Sequence, residues 1–384
     1  MLFGRTRLWL LLALLGSFVA SHFHDSIDLY YADMLVVAGI NIVLAVSLNL
    51  INGYTGQFSL GHAGFMAVGA YTAAALTMHT KPTFLQLIIG DRGQMLIWGL
   101  LIGFACVAAL IGAYIARFVT GRWRLSPSVR VLVFVSSSLV IAGVAVMVGL
   151  HFMTRDWMVR ILGAAAFGFV LLAGGAMAAL AGFLVGAPSL RLRGDYLAIV
   201  TLGFGQIIAV ILRNIPALGG ALGLDQIPLT TDLGWVFAAA ALAIYVVSTL
   251  VHSTYGRGFL AVSDDEVAAE AMGVNTTRYK VVAFVIGAFF AGIAGGLDAH
   301  FNTTINPKGY DFNRSIEIVA MVILGGMGST RGVVVAAFLL TVANYKLSAL
   351  KEYRPLLYAG LLIAMMLLRP QGLFAFGGKR KAQL

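Results

Sequence analysis

Asp264, Asp265, Glu266 and Glu270 place four carboxylates within seven residues of a chain that is 60% hydrophobic. Carboxylates so close together can serve general acid–base chemistry or hold a metal, but no cluster of His with carboxylates, no HExxH and no paired Cys accompanies them. Their spacing suits a helix terminus better. Ser263 is read as an N-cap with Glu266 three residues on as a capping box, the acids fill the first turn where the helix dipole favours them, and Gly273 stands where a left-handed stop is wanted. The segment 252–280 thus reads as a short amphipathic helix between two apolar segments, a handle for a water-soluble partner.

A second kind of chemistry is carried by small polar residues and glycines that interrupt apolar segments. The first interruption runs Asn49-Leu50-Ile51-Asn52-Gly53-Tyr54-Thr55-Gly56-Gln57-Phe58-Ser59-Leu60-Gly61-His62, the second covers Thr201-Leu202-Gly203-Phe204-Gly205-Gln206, and the third Leu324-Gly325-Gly326-Met327-Gly328-Ser329-Thr330-Arg331-Gly332. Unwound backbone at membrane depth is tolerated only where protein buries it or where it lines a wet cavity, so these stretches mark a candidate solute path. Its candidate residues are Asn49, Gly53, Gly56, Gln57, Ser59, His62, Gly203, Gly205, Gln206, Gly325, Gly326, Gly328 and Ser329. The competing reading is close helix packing, which isolated glycines such as Gly174 and Gly175 or Gly295 and Gly296 suit better. A lone membrane histidine such as His62 is more often a hydrogen-bonded structural group than a proton carrier.

The elements that position these groups follow from composition. Mean hydropathy is +0.92 and only 11% of residues are charged, against roughly 25% in soluble domains, which makes the chain an all-α polytopic membrane protein. Uninterrupted apolar runs cover residues 94–116, 131–150, 161–187, 234–251 and 281–296; shorter or broken ones cover 8–23, 34–51, 63–78, 198–212, 316–324, 333–345 and 355–368. About 20 apolar residues cross a bilayer, so about 10–12 transmembrane or broken helices are expected. Threading them alternately from a cytoplasmic N-terminus puts most of the 26 Lys and Arg inside, together with the 252–280 loop and the C-terminus. The net charge of +10 is then a topology signal, and nucleic acid is an unnecessary partner. Residues 8–23 read as a retained first helix, with a cleaved signal peptide as the alternative. The domain plan is 1–33 as N-terminal helix and periplasmic loop, 34–373 as the transmembrane domain, and 374–384 as a cytoplasmic tail.

Absent chemistry narrows the reading further. No Gly-x-Ser-x-Gly elbow and no Gly-x-x-x-x-Gly-Lys-Ser/Thr phosphate loop occur, and Cys106 stands alone in its apolar run, so no metal site is expected. The strongest spans hold no ionisable group, and Asp298 and Glu317 fall near expected outer ends, which argues against an ion-coupled carrier. Energy for uphill transport would have to enter from another subunit.

Asn52-Gly53-Tyr54-Thr55-Gly56-Gln57-Phe58-Ser59-Leu60-Gly61-His62-Ala63 and Leu190-Arg191-Leu192-Arg193-Gly194-Asp195-Tyr196-Leu197-Ala198-Ile199-Val200-Thr201-Leu202-Gly203-Phe204-Gly205 resemble the branched-chain amino acid permease family of bacterial ABC importers, and the run from Leu190 to Tyr196 resembles its M-type subunit. Gly256-Arg257, Glu270-Ala271-Met272-Gly273, Leu324-Gly325-Gly326-Met327-Gly328-Ser329 and Arg369-Pro370-Gln371-Gly372-Leu373 add to the likeness, which covers about residues 34–373. The resemblance implies a noncatalytic permease subunit that pairs with a second, H-type permease, docks two cytoplasmic ATPases and receives solute from a periplasmic binding protein. ATP and Mg would be held by the ATPases, with no cofactor in this chain. It implies a coupling element containing Gly256, Arg257, Asp264, Asp265, Glu266, Glu270 and Gly273. Import of urea or short amides is the alternative within the class; a passive channel or a membrane enzyme are alternatives outside it. Two departures stand out: an additional hairpin at 94–150, open to rim packing or to anionic lipid headgroups, and a loop 218–223 lacking the Pro-Asn usual after its paired glycines.

Overall fold

The computed structural model describes residues 28–80, 156–189 and 195–346, together with the isolated positions Gly16, Tyr353, Gly360 and Ile363. Apart from those isolated positions, the expected segments at 8–23, 94–116, 131–150 and 355–368, and the residues Arg191 and Arg193, lie outside the described residues. The chain divides into two compact units, Met1–Ala75 with Val170–Leu384, and Leu76–Phe169; the buried core and the candidate site both belong to the first.

Ten α-helices are described: α1 Leu29–Asn49, α2 His62–Thr80, α3 Asp156–Ser189, α4 Asp195–Arg213, α5 Leu233–His252, α6 Gly256–Asp264, α7 Glu266–Ala271, α8 Thr276–Asn302, α9 Phe312–Gly325 and α10 Thr330–Lys346. No β-strand occurs among the described residues, and the sole bridge among them pairs Leu224 with Ile305 between the loops after α4 and α8. Five of these helical stretches are long and apolar enough to cross a membrane. The protein is an all-α, multi-pass membrane protein.

The helices start where short polar side chains accept the first free N–H groups. Asp28 caps α1, Asp232 takes the Trp235 N–H at 3.0 Å to start α5, Asn275 takes that of Arg278 for α8, and Asp311 takes that of Asn313 for α9. Helix α1 is the core element. Its spanning stretch is 89% buried, and α5, α8, α9 and α10 pack around it. Helices α3, α4 and α5 are mostly exposed and carry apolar side chains outward, as lipid-facing helices do.

Close helix approach is made by glycine. A Cβ on Gly69 of α2 would strike the backbone of Gly292 in α8, one on Gly295 the Met66 carbonyl, and one on Gly174 of α3 the Gly69 carbonyl at 2.9 Å. Gly174, Gly175, Gly295 and Gly296 are therefore packing residues, as expected.

Buried and half-buried polar side chains also cross between helices. Arg314 of α9 donates to Glu317 at 3.0 Å and to Asn41 Oδ1 at 2.8 Å, while Asn41 Nδ2 donates to Thr341 Oγ1 of α10 at 2.9 Å. The Tyr310 hydroxyl donates to Asp298 at 3.0 Å; burial first, then the neighbouring carboxylate, push its pKa well above the usual tyrosine range, so it stays a donor.

Candidate functional site

After Asn49, α1 widens into a π-helical turn, Leu50–Tyr54, and the chain then runs without regular structure to His62. Such turns interrupt the backbone ladder and are frequent at functional sites. The Thr55 hydroxyl closes the turn on the Ile51 carbonyl at 2.7 Å, and the Gln57 N–H reaches the same carbonyl at 3.1 Å. Farther along, the Ser59 N–H donates to Asn52 Oδ1 at 3.2 Å. The first interruption is a real break in the helix.

The third interruption is also real, and it meets the first. Helix α9 ends at Gly325, the φ angles at Gly326 and Gly328 are +93° and +81°, and Ser329 Oγ accepts the Gly332 N–H at 3.3 Å to start α10. The Gly328 N–H donates to Asn49 Oδ1 at 2.9 Å, the Thr330 N–H to the Tyr54 hydroxyl at 3.3 Å, and the Tyr54 and Thr330 hydroxyls lie 2.8 Å apart. Gly53 sits in the seam, where a Cβ would strike both Asn49 Oδ1 and the Gly328 nitrogen.

The second stretch requires a correction, because α4 runs through Thr201–Gln206 without unwinding. The Thr201 hydroxyl bonds back to the Ala198 carbonyl at 3.0 Å and so stays within the helical ladder, and of the two glycines only Gly205 packs closely, against Gly61. Thr201 Oγ1 also accepts the Leu60 N–H at 3.1 Å, and a Cβ on Gly64 would lie 2.9 Å from the Gly205 Cα. Gly205 thus joins the junction. Gly203 has no atom within 4 Å of where its Cβ would be, and Gln206 is half-buried near the exposed Ile207, so neither belongs to it.

Within the junction several polar atoms are buried without a hydrogen-bond partner among the described residues: both amide atoms of Gln57, Ser59 Oγ, Asn49 Nδ2 and His62 Nδ1. Buried polar groups are normally paired, so this stretch suits polar occupants, water or solute. His62 holds Ser47 at 2.9 Å, and the Ser47 hydroxyl donates to the Leu44 carbonyl at 2.9 Å. Nδ1, the other ring nitrogen of His62, has no partner among the described residues.

Local sequence missed two members of this constellation: Ser315, whose Oγ accepts the Ala63 N–H at 3.3 Å, and the pairing of Tyr54 with Thr330. An amide or hydroxyl inside an otherwise apolar run is the signal that could have found them.

The polar corner at 252–280 also differs from expectation. Ser263 lies inside α6 and is no N-cap, because the α6 ladder runs on to Asp264. Asp265 is the cap, accepting the Val267 and Ala268 N–H groups at 2.8 and 3.0 Å, which leaves Glu266 as the first residue of α7 rather than the reciprocal arm of a capping box. Gly273 does supply the left-handed stop, with φ at +83°. The acids divide by direction. Glu266 pairs with Lys280 of α8 and Glu270 accepts the Thr276 hydroxyl at 2.7 Å, so both are used within the chain. Val267 and Met272, 61% and 84% exposed, are large apolar side chains turned outward, and Arg257 and Asp264 are exposed as well.

Helix α6 carries this corner to the junction. Phe259 is fully buried, and its ring meets Tyr255 and Tyr279 edge-on at 5.5 and 5.6 Å, fixing α6 against α8. Gly256 packs on the Val251 carbonyl, which allows the sharp bend from α5. At the other end of α6, Ser263 lies against Gly56, where φ is +66° and a Cβ would come within 3.2 Å of both the Ser263 Cα and its hydroxyl.

A helical bundle with a broken polar seam in its core, braced on an exposed corner helix, defines a transmembrane transport subunit. The chain belongs to the family described as branched-chain amino acid transport system / permease component, whose model matches residues 30–142 and 123–369. It is 34% identical over 376 residues to the high-affinity branched-chain amino acid transport system permease protein LivM of Escherichia coli K12, covering 89% of this chain and 69% of that one. The probable branched-chain amino acid transport permease protein LivM of Methanocaldococcus jannaschii is 26% identical over 344 residues, 85% of this chain and 83% of its own. The permease protein LivH of the Escherichia coli system is 31% identical over 148 residues, 38% of this chain and 48% of its own. No solved structure matches.

Proposed function

We propose that this chain is the noncatalytic, M-type permease subunit of an ATP-driven importer of branched-chain amino acids in a bacterial inner membrane, with both termini cytoplasmic. It shares the path with a second, H-type permease, receives solute from a periplasmic binding protein, and docks cytoplasmic ATPases that hold ATP and Mg. Helix α7 is the docking element and faces the cytoplasm, consistent with the basic residues that flank it. Residues 34–373 form the transmembrane domain, with coupling loop 252–280. The bilayer solvates the outer faces of α3, α4 and α5.

The observation that carries this reading is the contact between Ser263 and Gly56. It joins the helix next to the docking element to the loop of the first break, so displacement of α7 reaches the seam between Asn49, Gly53, Gly328 and Ser329 through packed atoms rather than across a gap. Closure of the ATPases would shift α6, part that seam and open the polar stretch around Gln57 and Ser59 toward the cytoplasm. The unpartnered groups there are all uncharged, which suits a solute of no net charge such as zwitterionic leucine.

Reconstitution with the partner subunits in proteoliposomes tests this. Uptake of leucine driven by internal ATP and dependent on the binding protein is expected; leucine conductance by the chain alone, or uptake of urea in preference, would replace the reading with a channel or an amide importer.

A further inference from the structure

Helix α7 has six residues, too few to hold helical geometry by itself in water. Its caps, Asp265 before it and Gly273 after it, define where it starts and stops, yet neither fixes its direction relative to the membrane helices. Two side-chain ties do. Glu266 and Glu270, one helical turn apart on the same face, both reach the first turns of α8: Glu266 to Lys280, and Glu270 to Thr276.

The first tie is the stronger one. Lys280 is buried, its side chain 5% exposed against 23% for Glu266, and an ammonium withdrawn from water persists only when paired. The helix that carries Lys280 continues into the core, where a Cβ on Gly287 would come 2.6 Å from the Ile51 Cδ1 and 3.2 Å from the Ser47 carbonyl, next to the π-helical turn. We infer that Lys280 is a positioning residue that locks α7 to α8 through Glu266, so that force applied at the exposed Val267 and Met272 face turns α8 together with α6 instead of bending α7 on its loops. This rests on α7 being the docking helix. It also divides the labour of the corner: the outward apolar side chains meet the partner, and the acids hold the helix in place.

The experiment uses the full transporter in proteoliposomes and reads three quantities: ATPase subunits retained on purification, ATP hydrolysed, and leucine taken up. Lys280→Met keeps the stem and removes the charge. Retained ATPase subunits with the ATP spent per leucine raised about fivefold or more are expected. Lys280→Arg and the exchange Lys280→Glu with Glu266→Lys restore an ion pair and should return the ratio to within about twofold of the parent. An unchanged ratio in Lys280→Met overturns the lock, as does an exchange variant that assembles and stays uncoupled. If Lys280→Met fails to assemble, recovery of assembly and coupling by the exchange variant still supports the lock, and its failure to recover overturns it. The docking reading fails separately, when the parent transporter shows no ATP-dependent uptake or when ATPase retention survives Val267→Glu with Met272→Glu.

Discussion

Ser263, one residue from the end of α6, rests on Gly56 in the irregular segment after the π-helical turn, so closely that a methyl group on Gly56 would lie 3.2 Å from the Ser263 Cα. Nothing larger than hydrogen fits there without moving one of the two segments. The two residues are 207 positions apart in sequence yet form a close contact between the polar corner and the broken helix. Force and geometry therefore meet at a pair with no ionisable group.

The seam between the two breaks depends on Gly53. Gly53→Ala places a methyl group on the Gly328 nitrogen and on Asn49 Oδ1, removing the 2.9 Å bond between them. Overpacking of this kind costs about 1–3 kcal/mol. A lower melting temperature in detergent and loss of most leucine uptake are expected, whereas Gly203→Ala, facing open space, should change neither.

Asn49 holds Gly328 with its oxygen while its nitrogen has no partner among the described residues. Asn49→Asp keeps the acceptor and adds charge to a buried site; Asn49→Leu removes the acceptor. Both should fall below a tenth of parental uptake, since leaving a buried N–H unpaired costs about 1–3 kcal/mol and burying a charge costs more. Surface amount on immunoblot separates this loss from failed insertion.

Arg314 ties α9 to α1 through Asn41 and to Glu317 within its own helix. Arg314→Met leaves a half-buried carboxylate without its cation and should destabilise by about 2 kcal/mol, less than for a fully buried pair because both partners keep some water. Adding Glu317→Gln should recover part of that loss, read as a coupling of about 1 kcal/mol in a double-mutant cycle of melting curves.

Asp265 caps α7 with two N–H bonds. Asp265→Ala should cost about 1 kcal/mol locally and lower ATPase retention several-fold, with Asp265→Asn near the parent. Quantified pull-down of the ATPase subunits checks this order.

Much of the fold is legible in the sequence because apolar length and short polar caps decide helix existence. The run 234–251 corresponds to Leu233–His252 and 198–212 to Asp195–Arg213, each bounded by polar residues. The cap of α7 is not legible, because Ser263 and Asp265 are both competent caps and tertiary packing chooses between them: Phe259 and Tyr279 extend α6 beyond the local signal. The stretch 201–206 reads as a break for a similar reason. Glycines in an apolar run signal either unwinding or close approach, and only the facing Gly61 and Gly64 decide for approach. The breaks at 49–62 and 324–332 are visible as polar interruptions, but their pairing across more than 270 residues, Asn49 with Gly328 and Tyr54 with Thr330, has no local trace.

The most direct measurement compares ATP hydrolysis and leucine uptake for Gly56→Ala in the reconstituted transporter. The added methyl group strains a left-handed residue by about 1–2 kcal/mol and pushes on Ser263 without touching the docking face. ATPase subunits should remain bound and hydrolyse ATP while uptake falls at least about tenfold, a loss of about 1.4 kcal/mol in coupling. Uptake and hydrolysis both equal to the parent would contradict transmission through this contact.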